Sequence, residues 1–371
     1  MSETICWVPF DVLEQFMVDV FKALHVPAED AAICANVLIT ADKRGIDSHG
    51  VNRLKPIYYD RILAGIQFPD TEIEVLRNGP TTAVWDGNHG MGHAISRKAM
   101  QAAIDKAKAY GMGMVAVRNS THYGIAGYYA LMAIENGMIG ITGTNARPSV
   151  APTFGVENML GTNPLTIGFP TDEEFPFVLD CATSITQRGK IEIYERIGKD
   201  TPPGCVIGEN GQALTDTDQI LEGLSNGKAA FTALGGIGEE TAGYKGYGYS
   251  TIVEILSAAL QCGSFLKMLS GFEDGEKVPY KLGHFFMAID TEAFLGLDEF
   301  KKTAGTILRE LRNSRRMPGE ERIYTAGEKE YVAWQERQGK GVPVNQSVQQ
   351  ELVQMRDELQ LTQYEFPFET H

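Results

Sequence analysis

The chain has 371 residues, with 48 acidic against 33 basic side chains and a formal net charge of −15 at pH 7. That balance argues against a nucleic-acid backbone or an anionic membrane as the main partner, because either would repel most of the surface, although a small anion can still bind in a local basic pocket. The length predicts two domains, and five scattered cysteines (Cys6, Cys34, Cys181, Cys205, Cys262) with no C-x-x-C pair predict reduced thiols, a cytoplasmic setting and no metal framework.

Leu13, Phe16, Met17, Val20 and Leu24 recur at helical spacing, and Pro27 breaks the run before a second helical stretch containing Ile33, Val37, Leu38 and Ala41. Asp11, Glu14 and Asp19 interrupt this apolar region, so it does not read as a signal peptide, and no 18 apolar residues run together anywhere. The first 65 residues or so thus read as helical. From residue 81 strands and helices alternate: a strand at Thr81–Trp85, a helix at Ala94–Tyr110, a strand at Met112–Arg118, a helix at Ala126–Asn136 and a strand at Met138–Thr144. Leu165–Phe169 and Phe177–Leu179 follow with little helix between them, which predicts antiparallel pairing in a mixed sheet. Residues 199–238 are rich in Gly, Asp and Thr and read as excursion and loop. Tyr249–Leu260 is a helix, Phe285–Ile289 a strand, Leu297–Arg312 a helix and Asn345–Leu359 a last helix with Asn345 as its N-cap. The expected division is a helical, catalytic and dimerisation part (1–75 with 249–371) and a sheet-rich, cofactor-binding part (76–248).

Several motifs invite functional readings. Gly90-Met91-Gly92-His93-Ala94-Ile95 has the setting of a dinucleotide fingerprint but lacks the third glycine, and the next strand ends at Arg118-Asn119 without the expected acid, so a tight turn accounts for it better. Gly238 and Gly243 are spaced like a phosphate loop, but Lys245 falls one residue late and Gly246 replaces the magnesium-holding hydroxyl. Gly223-Leu224-Ser225-Asn226-Gly227 matches a nucleophile elbow without its strand and helix, and reads as a capped helix end.

Asp47-Ser48-His49-Gly50-Val51-Asn52-Arg53 carries more weight. A helix starting with Ser48 as N-cap would put His49 and Arg53 on one face, seating a carboxylate beside a proton acceptor, with Pro56 kinking or restarting the helix one turn later. His122, in Asn119-Ser120-Thr121-His122-Tyr123-Gly124, stands where a strand ends and a helix begins; Ser120 or Thr121 could equally be capping helix amides there. Asp180, ending a strand, is a candidate to orient an imidazole, or else a turn cap. Gly243-Tyr244-Lys245-Gly246-Tyr247-Gly248 is a glycine-rich turn whose amides and Lys245 could hold a cofactor phosphate.

Together with Leu160-Gly161-Thr162-Asn163-Pro164-Leu165, Asp180-Cys181-Ala182-Thr183-Ser184 and Ala326-Gly327-Glu328, these blocks resemble the type 2 malate/L-lactate dehydrogenase family over nearly the whole chain. The resemblance implies an α/β fold with a largely antiparallel mixed sheet, helices from both chain ends packed together, and a non-Rossmann dinucleotide site. It also implies a homodimer with the active site near the interface. By this likeness His49 and His122 are the catalytic histidines, with Asp180 beside them, and Arg53 and Ser48 bind the substrate. Val178, Asp180, Cys181, Ala182, Thr183, Ser184, Tyr244, Lys245, Gly327 and Glu328 resemble the contacts to NAD, or alternatively NADP. Cys181 stands where Met is commoner, a similarly soft contact.

The expected reaction moves a hydride between a nicotinamide and a small 2-hydroxy or 2-oxo acid, malate or lactate first. Related acids are the alternatives: diketogulonate, a cyclic imino acid, ureidoglycolate or sulfolactate. A ligand-binding relative without turnover and a Ser225 hydrolase are the readings from other classes. Arg188 and Lys190 would favour NADP if they are free to meet a 2′-phosphate.

Overall fold

The computed structural model describes residues 5–369. Its main sheet consists of β1 (Glu74–Asn78), β2 (Thr82–Asp86), β3 (Met112–Ser120), β4 (Met138–Thr144), β5 (Leu165–Phe169), β6 (Phe177–Cys181) and β7 (Leu282–Asp290). The longer helices are α1 (Phe10–Ala23), α2 (Ala28–Lys43), α3 (Gly92–Tyr110), α4 (Gly127–Glu135), α5 (Arg188–Arg196), α6 (Thr217–Asn226), α7 (Gly243–Ala258), α8 (Leu297–Asn313), α9 (Glu328–Arg337) and α10 (Gln346–Glu358).

The strand order is β1-β2-β3-β7-β4-β5-β6. The β2–β3 pair is parallel, joined across α3, and the other pairs are antiparallel, so the sheet is mixed and largely antiparallel as expected. Ile95, Ala99, Met100, Ala103 and Ile104 of α3 pack on Val115, Val117 and Phe286. Small residues let this helix come close: a Cβ on Gly113 would lie 2.1 Å from the Ala103 carbonyl oxygen. Phe286 is fully buried, a contribution of roughly 1.5–3 kcal/mol.

A second core joins the chain ends, with Leu13, Phe16, Met17 and Val20 of α1, Leu38 of α2, and Leu352, Met355 and Phe366. Pro9 and Pro27 occupy the N-cap positions of α1 and α2, so Pro27 starts a helix as well as ending one. Cys6–Val8 pairs antiparallel with Val342–Val344 beneath this unit. Asn345 caps α10 as read, its side-chain oxygen accepting the Val348 N–H at 3.0 Å.

Residues 199–238 are more ordered than their composition suggested. They carry α6 and an antiparallel pair, Val206–Gly208 with Ala229–Phe231, over a small core of Ile191, Val206, Ile220 and Phe231. The two strands, three residues each, are too short to show a period. Gly227 closes α6 with φ +78°, and the Ser225 hydroxyl donates to the Leu221 carbonyl at 2.8 Å, so the elbow-like motif is a helix end. The helix expected at 249 begins at Gly243 instead, with the glycine-rich turn inside it. The expected helical part, 249–371, also supplies β7, the strand between β3 and β4.

Candidate active site

The segment expected as one helix from Ser48 is broken into two 3₁₀ turns, Asp47–His49 and Val51–Arg53, by Gly50, whose ψ of −142° is extended. Ser48 caps nothing; its hydroxyl lies 2.9 Å from His49 Nδ1. Pro56 then sits within a π-helical stretch, Leu54–Tyr59, which brings Tyr58 inward. Buried Asp42 anchors the whole bend, accepting the Val51 N–H at 2.8 Å, and burial raises its carboxyl pKa well above the usual range. Arg53 donates through Nε to the Ser48 carbonyl at 2.6 Å, which fixes the direction of its guanidinium.

His49 and His122 face each other with ring centroids 5.8 Å apart and planes 21° from parallel. The two histidines named by the resemblance thus lie together, while the single helix face expected to carry His49 and Arg53 does not form. Burial, then the charge of Arg53, lowers the His49 pKa to about 4. Burial also lowers His122 well below its ordinary value, with His49, His93, Arg61 and Arg53 adding to the effect. Both rings are consequently neutral at pH 7, the state in which an imidazole can accept a proton. Tyr58 Oη lies 2.5 Å from His122 Nδ1 and 2.9 Å from Nε2 of fully buried His93.

His122 is held by backbone contact. A Cβ on Gly92 would lie 2.4 Å from the carbonyl oxygens of Thr121 and His122, so the Gly90–His93 turn is a close chain crossing. Thr121 Oγ1 accepts the Gly92 N–H at 2.9 Å, capping the start of α3, not of α4. Asp180 caps α4, accepting the Gly127 N–H at 2.7 Å and the Thr166 hydroxyl at 2.8 Å. No hydrogen bond joins Asp180 to a histidine among the described residues, which corrects the expectation that it orients an imidazole. Its carboxylate is already committed to α4 and β5.

The proposed cofactor segments converge on β6 and its exit. Gly327 packs on β6, where a Cβ would lie 2.6 Å from the Pro176 carbonyl oxygen, and Val178 donates its N–H to Ala326 at 3.3 Å. Glu328 turns its buried carboxylate to the Thr325 N–H at 3.0 Å and to Arg322. Thr183 donates its N–H to Thr162 at 2.9 Å and accepts from the Leu234 N–H at 2.9 Å, while Ser184 Oγ donates to Thr186. The Leu234 loop then seats α7: a Cβ on Gly246 would lie 2.1 Å from the Leu234 carbonyl oxygen. Tyr244 and Lys245 are exposed on the first turn of α7, which carries no acidic residue, and Cys181 and Ala182 are half-buried. The acid-free first turn of α7 with its exposed Lys245 suits an anionic cofactor phosphate.

Sequence reasoning missed Tyr58, His93, Arg61 and Arg147. Arg61 places its guanidinium carbon 4.4 Å from the Tyr280 ring centroid. Burial lowers its pKa, and the positive charges of Arg147 and Arg53 add to that, so three cations share this region. The ion pairs among the described residues engage none of Arg53, Arg61 and Arg147. The recurrence of arginine eight residues after Arg53 was the signal available.

A profile for a family described as malate/L-lactate dehydrogenase matches residues 8–353. Malate dehydrogenase of Pyrococcus horikoshii is 45% identical over 353 residues, 95% of each chain. L-sulfolactate dehydrogenase of Methanocaldococcus jannaschii is 38% identical over 350 residues, 94% of this chain and 96% of that one. The crystal structure of malate dehydrogenase from Entamoeba histolytica superposes with a TM-score of 0.93 at 44% identity, covering 96% of this chain and 99% of that one.

Proposed function

The chain belongs to the malate/L-lactate dehydrogenase family, a dehydrogenase of 2-hydroxy acids, and on that footing we propose malate as its substrate and NAD as its coenzyme. The observation that carries the reading is the stacked, neutral pair His49 and His122 beside Arg53. Arg53 takes the 1-carboxylate through its fork and fixes which face of C2 is presented. The two imidazoles surround the 2-hydroxyl oxygen, one receiving its proton during oxidation. A bound nicotinamide supplies the hydride acceptor, held by Val178–Ser184, Tyr244, Lys245 and Gly327, with Glu328 bracing the turn that carries Gly327.

Malate is favoured over lactate because Arg61, largely buried, near Arg147 and without an acidic partner, suits a second anionic group; a methyl would leave Arg61 uncompensated. A sulfonate would satisfy them as well, which makes sulfolactate the second reading. NAD is favoured because Arg188 is bound to Glu192 at 2.9 Å and to Ser225, and Lys190 lies over Tyr194, so neither awaits a 2′-phosphate. No described helix is long and apolar enough to cross a membrane, and the cysteines are unpaired thiols, in keeping with a cytoplasmic enzyme.

A homodimer is part of the same reading. Tyr244, Tyr249, Ile252 and Ile255 of α7, with Leu260, Phe265 and Met268, are exposed together, a surface apolar enough for a second copy and adjoining the first turn of α7. Dimer and catalytic contacts then fall mainly in 1–75 and 249–371, and cofactor contacts mainly in 76–248. The deciding assay follows NADH and NADPH consumption with oxaloacetate, pyruvate, sulfopyruvate, diketogulonate and piperideine-carboxylate. Oxaloacetate with NADH should give the highest kcat/KM. A higher value with pyruvate removes malate, and a preference for NADPH removes NAD.

A further inference from the structure

His93 and Tyr58 play no part in the reaction described so far, yet both are fully buried and joined in line to His122. The chain His93–Tyr58–His122 admits two proton arrangements. In the first, His93 Nε2–H donates to Tyr58 Oη, the Tyr58 hydroxyl donates to His122 Nδ1, and His122 carries its proton on Nε2. In the second every bond is reversed: His122 Nδ1–H donates to Tyr58, Tyr58 donates to His93 Nε2, and His93 carries its proton on Nδ1.

Two observations select the first. His93 Nδ1 is buried without a hydrogen-bond partner, and a buried N–H lacking an acceptor is costlier than a bare lone pair. The Gly124 N–H also points at His122 Nδ1 at 3.3 Å, which requires a lone pair on that atom. Burial keeps His93 neutral, its pKa pushed down to about 3, so it carries a single ring proton.

We propose that Tyr58 and His93 are positioning residues that lock His122 into its Nε2–H form, so that His122 donates a hydrogen bond to the substrate oxygen and His49 alone exchanges the proton. This rests on the dehydrogenase reading above. During oxidation the C2–H bond breaks with its electron pair, leaving as hydride for the nicotinamide ring. The hydroxyl proton goes to Nε2 of His49, whose Nδ1–H is accepted by Ser48 Oγ, and the remaining oxygen pair closes the C=O bond. The His122 Nε2–H stays where it is and stabilises the developing negative charge on that oxygen.

The test reads tautomers directly. Nitrogen-15 NMR of histidine-labelled enzyme, assigned with His122→Gln and His93→Gln, should show both rings of the wild type protonated on Nε2 without substrate. Tyr58→Phe, which keeps the ring, should give mixed tautomers at His122 and about a 10-fold loss in kcat with KM little changed. His122→Gln, which still offers an N–H, should retain within about 10-fold of wild-type kcat, whereas His49→Gln should lose roughly 100-fold to 10,000-fold. A wild-type His122 protonated on Nδ1, or an active His49→Gln beside an inactive His122→Gln, overturns the proposal. Because the NMR needs no turnover, an enzyme idle on every 2-oxo acid would refute the functional reading while leaving the tautomers measurable.

Discussion

Replacing Gly50 with alanine tests whether the Asp42 carboxylate holds the substrate-binding bend in place. Gly50 has a negative φ, −90°, so the cost of alanine there is read from the space its Cβ needs. The new Cβ would lie 1.8 Å from Asp42 Oδ1, 2.2 Å from Cγ and 2.5 Å from Oδ2, so one side must retreat by about 1.5 Å to reach ordinary contact. Retreat of Asp42, which is 1% exposed, forfeits its bond to the Val51 N–H and leaves a buried donor unpaired, at about 1–3 kcal/mol. Retreat of the bend instead carries His49 and Arg53 about 1 Å off station, an error that costs on the order of 100-fold in rate. Gly50→Ala should therefore unfold at lower denaturant, lose about 100-fold in kcat/KM for oxaloacetate, or divide the damage between the two. Denaturant titration and steady-state kinetics on one preparation read both. Gly189→Ala is the matched control, because its Cβ meets only Arg53 Nη2, at 4.0 Å. Wild-type values for Gly50→Ala, or equal damage in Gly189→Ala, would refute the reasoning.

Arg53→Lys should raise KM for the acid by roughly 10-fold to 100-fold, since an ammonium cannot reproduce two parallel bonds; an unchanged KM takes Arg53 out of the site. Arg147→Ala should raise KM for oxaloacetate at least about 10-fold and spare pyruvate, and equal effects on both acids would remove the second-anion role. Stability should fall as pH drops from about 6.5 towards 4, because His49 (about 4), His93 and His284 (both about 3) stay neutral in the fold while their unfolded counterparts take up protons. The slope is at most about 1.4 kcal/mol per pH unit for each histidine. Asp42, protonated more readily in the fold, offsets part of it, and urea midpoints that do not fall between pH 7 and 5 would contradict this account. Ile252→Lys with Ile255→Lys should shift sedimentation from dimer to monomer, and an unchanged coefficient clears α7 of the interface.

Where apolar residues alternate or repeat, the elements were legible: β4 and β5 start and stop as their patterns indicate, and Asn345 caps α10 as read. Strand β1 escaped because all five of its residues are exposed and leave no alternation. Cys6–Val8 is too short to show a pattern. At the site, His49, Arg53 and His122 are named from residue type and surroundings, but the helix expected to join His49 and Arg53 is broken at Gly50. His93 lies in the 90–95 stretch read as a tight turn and Tyr58 just past Pro56, and nothing local shows that a tyrosine at 58 meets histidines 35 and 64 residues away. Asp180 could not be placed from the sequence, because its partners, Gly127 and Thr166, meet it only through the folded sheet.

Strand β7 sets a condition on how this protein is made. It fills the slot between β3 and β4, yet it lies at 282–290, more than 130 residues after β4. Until the ribosome has released that stretch, the nascent chain holds two half-sheets with facing raw edges, each able to pair with a neighbouring molecule. Assembly is therefore late and non-local, with slow closure. Chaperone demand should peak just before residue 290 emerges, and chains interrupted there should aggregate more than shorter ones that end before β3.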